Sequence, residues 1–159
     1  FIASREEALL KTMAGFKGHQ DFGTAHFNQA ILEQVLHDGR YEEHLREIRP
    51  HYRRKRDLLE QSLREGGLTD AGWSWEQPLG GLLLWARGPE EMDTRRGSAF
   101  YRAALGTELL YVPGDLCFAG GKPWNYVRLS FGALPEELIP EAAQRFCDVA
   151  LKIGAKPVA

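Results

Sequence analysis

The chain is poor in the features that mark several classes of protein. Its 159 residues include only two cysteines, Cys117 and Cys147, and carry a formal net charge of −2. Two cysteines so far apart exclude a disulfide framework and a cysteine zinc site, so we expect two small, reduced apolar side chains. The small net charge gives no argument for binding nucleic acid or a membrane. No apolar run reaches membrane-spanning length and no signal peptide is present, which favours a cytoplasmic protein.

Motifs for phosphate binding, hydrolysis and metal binding are also missing. The segment 120–122 (GGK) lacks the spacing of a phosphate-binding loop, and no G-x-S-x-G motif is present. The basic run at 51–56 is interleaved with acids, which predicts local ion pairs on a solvated helix. Three histidines recur every seven residues, namely His37, His44 and His51. Gly39 and Pro50 interrupt the helical register between them, so no metal site is predicted.

The spacing of apolar residues indicates which segments form helices and which form strands. It predicts the order helix, helix, long helix, strand, strand, helix, strand, strand, helix, with a kink or short break in the long helix at Pro50. The apolar run at 81–86 is continuous, which is typical of a strand covered on both faces. We therefore predict an α+β fold in which a short antiparallel or mixed sheet is covered by helices. The expected strands are 73–76, 81–86, 109–112 and 126–131, and the fourth helix is expected at 93–105.

The strand at 126–131 places an arginine, Arg128, in the middle of an apolar segment. Side chains alternate between the two faces of a strand, so Val127, Leu129 and Phe131 point to the core. Arg128 then lies on the opposite face, between the hydroxyl groups of two neighbours on the same strand: Tyr126 and Ser130.

A guanidinium that is withdrawn from water without a partner costs several kcal/mol, so an anion should lie opposite Arg128. The fork of N–H groups suits a carboxylate, which it can bind through two parallel hydrogen bonds. The spacing leaves two alternatives open. The partner is either the carboxylate of a ligand or an acid of this chain, for which the candidates are Glu76, Glu108 and Asp115.

Four motifs in order give the chain a family resemblance. They are 41–45 (YEEHL), 77–85 (QPLGGLLLW), 110–114 (LYVPG, followed by Phe118) and 125–131 (NYVRLSF). Together they resemble the C-terminal portion of the class I/II, fold type I, pyridoxal-phosphate-dependent aminotransferases. The likeness is greatest to 2-aminoadipate and kynurenine aminotransferases and extends to the aminotransferase-like halves of some bacterial transcriptional regulators.

The resemblance implies roles for three residues. Arg128 is expected to bind the α-carboxylate of the substrate, and Gly81 and Phe118 are expected near the substrate side chain. No catalytic and no cofactor-binding residue is assigned, because the family's Schiff-base lysine lies in a Ser-x-x-Lys motif that would precede Phe1. The cofactor pyridoxal 5′-phosphate is expected in the parent protein, and none is expected to be bound covalently here.

The same resemblance implies a division of the chain into three parts. Residues 1–40 would be a remnant of the large domain, 41–66 the long interdomain helix kinked at Pro50, and 67–159 the C-terminal small domain. The first part should expose apolar surface in this chain. The fold of the parent would be α/β.

The parent that the resemblance implies is a homodimeric aminotransferase that moves an amino group between an amino acid and a 2-oxo acid. A fragment that lacks the lysine is expected to be inactive by itself. The alternative is the effector-binding half of a transcriptional regulator. The resemblance leaves open which amino acid is the substrate.

Overall fold

The computed structural model describes residues 3–21, 25–121 and 123–154. Lys122, the last residue of the 120–122 segment, lies outside these ranges, as do residues 1–2, 22–24 and 155–159. None of the helices within them is long and apolar enough to cross a membrane. The elements follow the predicted order: α1 Glu7–Asp21, α2 His26–His37, α3 Arg40–Glu65, β1 Ser74–Trp75, β2 Leu83–Arg87, α4 Ala99–Gly106, β3 Val112–Pro113, β4 Tyr126–Ser130 and α5 Ile139–Gly154.

The chain divides into two compact units, Phe1–Glu47 and Ile48–Ala159. In the first unit no residue of α2 is buried, and Phe16 and Phe27 are 68% and 75% exposed. The expected exposure of apolar surface near the start of the chain is therefore confirmed. The division into three parts stays a prediction, as does the kink in α3, which continues through Pro50 as a single helix.

The second unit contains one four-stranded sheet in the order β1-β2-β4-β3, and every neighbouring pair is antiparallel. The α+β prediction is confirmed. Leu84 lies opposite Leu129 and Ala86 opposite Val127, and all four side chains are buried. They form the core face of the sheet. We call the other side the open face, and its side chains are those of Leu83, Trp85, Arg87, Val112, Tyr126, Arg128 and Ser130.

The prediction that the 81–86 run is covered on both faces is wrong. Burial alternates along β2, and Leu83 remains 42% exposed. The physical reason is that the helices of this unit contribute their buried side chains to a single core on one side of the sheet. A continuous apolar run does not by itself distinguish a strand covered on two faces from one that exposes leucine on one face.

Aromatic side chains make up the centre of this core. Trp73 lies in the loop before β1 and Tyr111 directly before β3, while Phe100 comes from α4 and Phe146 from α5. Each of these four side chains is at most 3% exposed. Phe146 meets Trp73 edge to face at 5.3 Å between ring centroids and Phe100 at 5.6 Å. Such pairs stabilise the core by about 0.5–1.5 kcal/mol beyond the burial of their area. This cluster attaches α4 and α5 to the sheet.

Helix α4 begins later than predicted, at Ala99 instead of near 93. Thr94 does not enter the helix because its hydroxyl lies 2.8 Å from the carbonyl oxygen of Trp124 and 2.7 Å from that of Tyr126. The helix is capped by Ser98, whose Oγ accepts a hydrogen bond from the backbone N–H of Tyr101 at 3.0 Å. The segment before α4 therefore supports the start of β4.

Replacing Gly114 with alanine should destabilise the second unit by about 1–3 kcal/mol, as overpacking of a core does. The reason is that a Cβ at this buried position would lie 2.3 Å from Cβ of Tyr126. Urea unfolding of Gly114→Ala measures the loss. The control is Gly120→Ala, whose added methyl meets nothing within 4 Å. Equal stability of the two variants would contradict the prediction.

The chain should also lose stability in alkali through Cys147. Burial raises the pKa of this thiol from 9.0 to about 11. As pH rises through that interval the unfolded chain releases the thiol proton while the folded chain keeps it, so the free energy of unfolding falls. Denaturant unfolding at several pH values should show a smaller alkaline loss in Cys147→Ala. The exposed Cys117, replaced with alanine, is the control and should leave the loss unchanged.

Candidate functional site

Arg128 lies at the centre of the open face. It is directly opposite Trp85 of β2 and Val112 of β3, and it is half-buried. Within the described part of the chain its guanidinium takes part in no hydrogen bond, ion pair or ring contact. The sequence therefore predicted the face of this arginine correctly, and the structure leaves its donors available.

None of the three acids considered as internal partners pairs with Arg128 within the described part of the chain. The carboxylate of Glu108 is 3.7 Å from Nη1 of Arg145, and Glu76 is exposed. Oδ1 of Asp115 is buried without a hydrogen-bond partner among the described residues. Because none of them pairs with Arg128, the observed geometry favours a carboxylate from outside these residues.

Three aromatic rings pack together on the open face, where Trp85 lies opposite Arg128 and Tyr126 lies two residues before it on β4. The rings of Trp85 and Tyr126 are stacked, with centroids 5.5 Å apart and an interplanar angle of 26°. Phe118 packs against both, at 5.8 Å from Trp85 and 5.6 Å from Tyr126. The rings exclude water from one side of the site, which strengthens an ion pair formed there.

The resemblance also singled out Phe118 and Gly81. Phe118 follows a 3-10 turn over Gly114–Cys117, and the close approach of Gly114 to Tyr126 brings this turn against β4. Gly81 has φ +79°, a conformation that glycine adopts without strain, and precedes β2 at the end where Leu83 lies opposite Ser130. The structure thus brings Phe118 to the rings beside Arg128 and places Gly81 at one end of the same strand pair.

Gly88 and Asn125, the first residue of the 125–131 motif, fix the opposite end of that strand pair. Nδ2 of Asn125 donates to the carbonyl oxygen of Gly88 at 2.7 Å, and the N–H of Gly88 donates to the carbonyl oxygen of Asn125 at 2.7 Å. Asn125 is only 6% exposed. These two bonds hold the register that puts Trp85 opposite Arg128.

Helix α3 holds the segment that connects β1 and β2. Oε1 of Glu60 accepts from Nε1 of Trp75 at 3.1 Å, and Oε2 accepts from Nε2 of Gln77 at 2.7 Å. Nη1 of Arg56 donates to the carbonyl oxygen of Pro78 at 2.9 Å. The sequence suggested only solvated charges here, although Glu60 does lie next to the buried Leu59 on the apolar stripe of α3.

This segment and the open face enclose a groove of about 710 Å³. The groove lies against Leu83, Trp85, Arg87 and Tyr126 on the sheet side and against residues 74–79 on the other. Trp85 and Tyr126, two of the rings beside Arg128, therefore line the groove as well.

Both described lysines of the second unit lie on helices and not on the sheet that carries Arg128. Nζ of Lys55 donates to the carbonyl oxygens of Leu134 at 2.6 Å and Gly132 at 3.3 Å, and Lys152 lies in the last turn of α5. The described part of the chain also holds no cluster of three or more metal-binding side chains. A half-buried guanidinium with available donors can bind an anion such as a carboxylate.

Comparison with solved structures supports this architecture. The crystal structure of Pyrococcus horikoshii kynurenine aminotransferase, in complex with PMP and with KYN as substrate, matches with a TM-score of 0.83 at 26% identity. The match covers 95% of this chain and 36% of that structure.

Curated relatives give the same result. The chain is 32% identical over 143 residues to aromatic-amino-acid aminotransferase 1 of Thermococcus litoralis, covering 90% of this chain and 33% of that protein. It is 29% identical over 145 residues to 2-aminoadipate transaminase of Thermus thermophilus, covering 91% of this chain and 35% of that protein. Helix-turn-helix regulators match at lower identity. NorG of Staphylococcus aureus, for example, is 24% identical over 147 residues, covering 92% of this chain and 32% of that protein.

The chain thus spans about a third of the length of the curated relatives that it matches. The family model of aminotransferase class I and II matches residues 1–146. The chain therefore belongs to the class I and II aminotransferase family, as the four sequence motifs predicted.

Proposed function

We propose that this chain supplies the substrate-carboxylate site of a pyridoxal-phosphate-dependent aminotransferase, which transfers an amino group between an amino acid and a 2-oxo acid. The observation that carries the proposal is Arg128, half-buried on the open face without an internal acid. Family membership supports it, since the matched relatives are named as aminotransferases.

The chemical task of Arg128 is to hold and orient the substrate. Its planar guanidinium can form two parallel hydrogen bonds to one carboxylate, each contributing about 1.5–3 kcal/mol. The amino acid and the 2-oxo acid carry the same α-carboxylate, so one arginine serves both directions of the exchange.

The cofactor provides the electron sink for the reaction in such enzymes. Lys55, whose Nζ donates to two backbone carbonyl oxygens, is not assigned the covalent role. In our proposal the lysine and the cofactor-binding groups come from polypeptide outside this sequence, and residues 1–159 alone do not catalyse transamination. We further propose a cytoplasmic homodimer in which 1–40 belong to the large domain, 41–66 form the interdomain helix and 67–159 form the small domain.

A second candidate function is the effector-binding part of a transcriptional regulator. The observation that supports this candidate is the match of the regulator NorG over 92% of this chain. Arg128 would then bind the carboxylate of an amino-acid effector with the same geometry. The two candidates differ in whether the bound amino acid is turned over.

Replacing Arg128 with alanine in the holoenzyme that contains this chain should lower kcat/KM about 100-fold or more for both the amino acid and the 2-oxo acid. This factor corresponds to the loss of two charge-assisted hydrogen bonds. Arg128→Lys should be intermediate, because an ammonium keeps the charge but not the fork. Steady-state kinetics with each substrate varied in turn measure the change.

The matched control is Arg102→Ala, which removes an exposed arginine of α4 and should leave KM unchanged. An unchanged KM in Arg128→Ala would overturn the proposed role. If the protein binds an amino acid through Arg128 but shows no turnover with its cofactor bound, the regulator candidate is supported instead.

A further inference from the structure

A cavity of about 60 Å³ lies on the core side of the sheet, between α3, the end of β4 and the start of α5. Leu59 and Leu63 of α3 form one wall, and Ala143 and Phe146 of α5 form another. These four side chains are at most 7% exposed. Leu110 also lines the cavity and is 75% exposed, so one side of the cavity reaches the surface.

The walls of this cavity are almost entirely apolar. Among the described residues that line it, Ser130 alone has a polar side chain. Alternation along β4 places the Ser130 hydroxyl on the open face, while Leu129 and Phe131 point to the core side. A buried water typically makes about three hydrogen bonds, and the lining side chains offer it none on that side. We therefore expect the cavity to exclude water.

A dry cavity of this kind favours an apolar occupant. The wall atoms lack partners on one side, so they lose dispersion contacts that a filled core would provide. An apolar molecule that enters gains these contacts without displacing well-ordered water. The volume of about 60 Å³ is roughly twice the ~30 Å³ that one water molecule occupies in the liquid, and less than half of the ~150 Å³ of a cavity that holds benzene.

We propose that this cavity is a binding site for small apolar molecules, of the size of xenon or ethane and smaller than benzene. The site is separate from the carboxylate site of the proposed function. Leu129 faces the cavity, whereas Arg128, its neighbour on β4, faces the open side of the sheet. A ligand bound here does not compete with a carboxylate at Arg128, so the binding does not depend on the proposed function.

Crystals of the protein pressurised with xenon test the site directly. Wild type should show an anomalous peak between Leu63 and Phe146, and Ala143→Val should abolish it because two added methyl groups occupy the space. In solution, xenon at a concentration near its Kd should raise Tm by about 1 °C in wild type and leave Ala143→Val unchanged. Absence of the peak in wild type, or a peak without the rise in Tm, overturns the proposal.

The matched control is Ala150→Val. Ala150 lies on the same helix and is 1% exposed, but it is not among the described residues that line the cavity. Valine at 150 overpacks a filled region and should lower Tm by about 2–10 °C, while the xenon peak persists. Valine at 143 fills empty space and should lower Tm by less than about 2 °C. An equal loss of Tm in the two variants contradicts a cavity beside Ala143.

A variant with a larger cavity tests the size limit. Leu59→Ala removes most of one lining side chain, and the enlarged cavity should then admit benzene. Benzene should raise the Tm of this variant by about 1 °C or more and leave the Tm of wild type unchanged. A rise in wild type as well overturns the size limit, and a rise in neither protein overturns the site.

Discussion

The antiparallel register between β2 and β4 is the constraint on which the rest of the site depends. Because strand side chains alternate with period 2, a slip of one residue would turn Arg128 into the core and expose Leu129. Hydrogen bonds define the register at both ends. Gly88 and Asn125 exchange two of them at one end, and the N–H of Phe131 donates to the carbonyl oxygen of Leu82 at 3.1 Å at the other. The open face, its rings and its arginine follow from this pairing.

An arginine without an internal partner is tolerated here because its side chain is only partly shielded from solvent. Half-burial leaves the guanidinium some solvation, so the cost stays below that of a fully desolvated charge. The aromatic rings that limit its hydration also reduce the competition that water offers to an incoming carboxylate. Stability and ligand affinity therefore place opposite demands on this position. Without a bound anion, a neutral side chain would make the folded chain more stable than an arginine does, and a bound anion reverses this order.

The sequence predicted what local periodicity determines. It gave the order of elements, the face of Arg128 on β4 and, through the family motifs, Phe118 and Gly81 as candidates. It failed for the exposed face of β2, because a run of leucines has the same pattern whether one face or two are covered. It also missed Glu60, whose partners are 15 and 17 residues away, and the groove, which exists only once α3, the β1–β2 connection and the sheet are assembled.

The charges of α3 show why such a helix is easily misread. Most of them are solvated, yet Lys55 and Arg56 donate to backbone carbonyls of Leu134 and Pro78, in two different loops. Both loops meet the sheet at the same end, where Leu83 pairs with Ser130, two residues from Arg128 along β4. Since a backbone carbonyl is an acceptor whatever its side chain, these bonds fix the path of each loop without constraining its sequence. Helix α3 can thus keep the frame around Arg128 constant while the residues that line the groove vary.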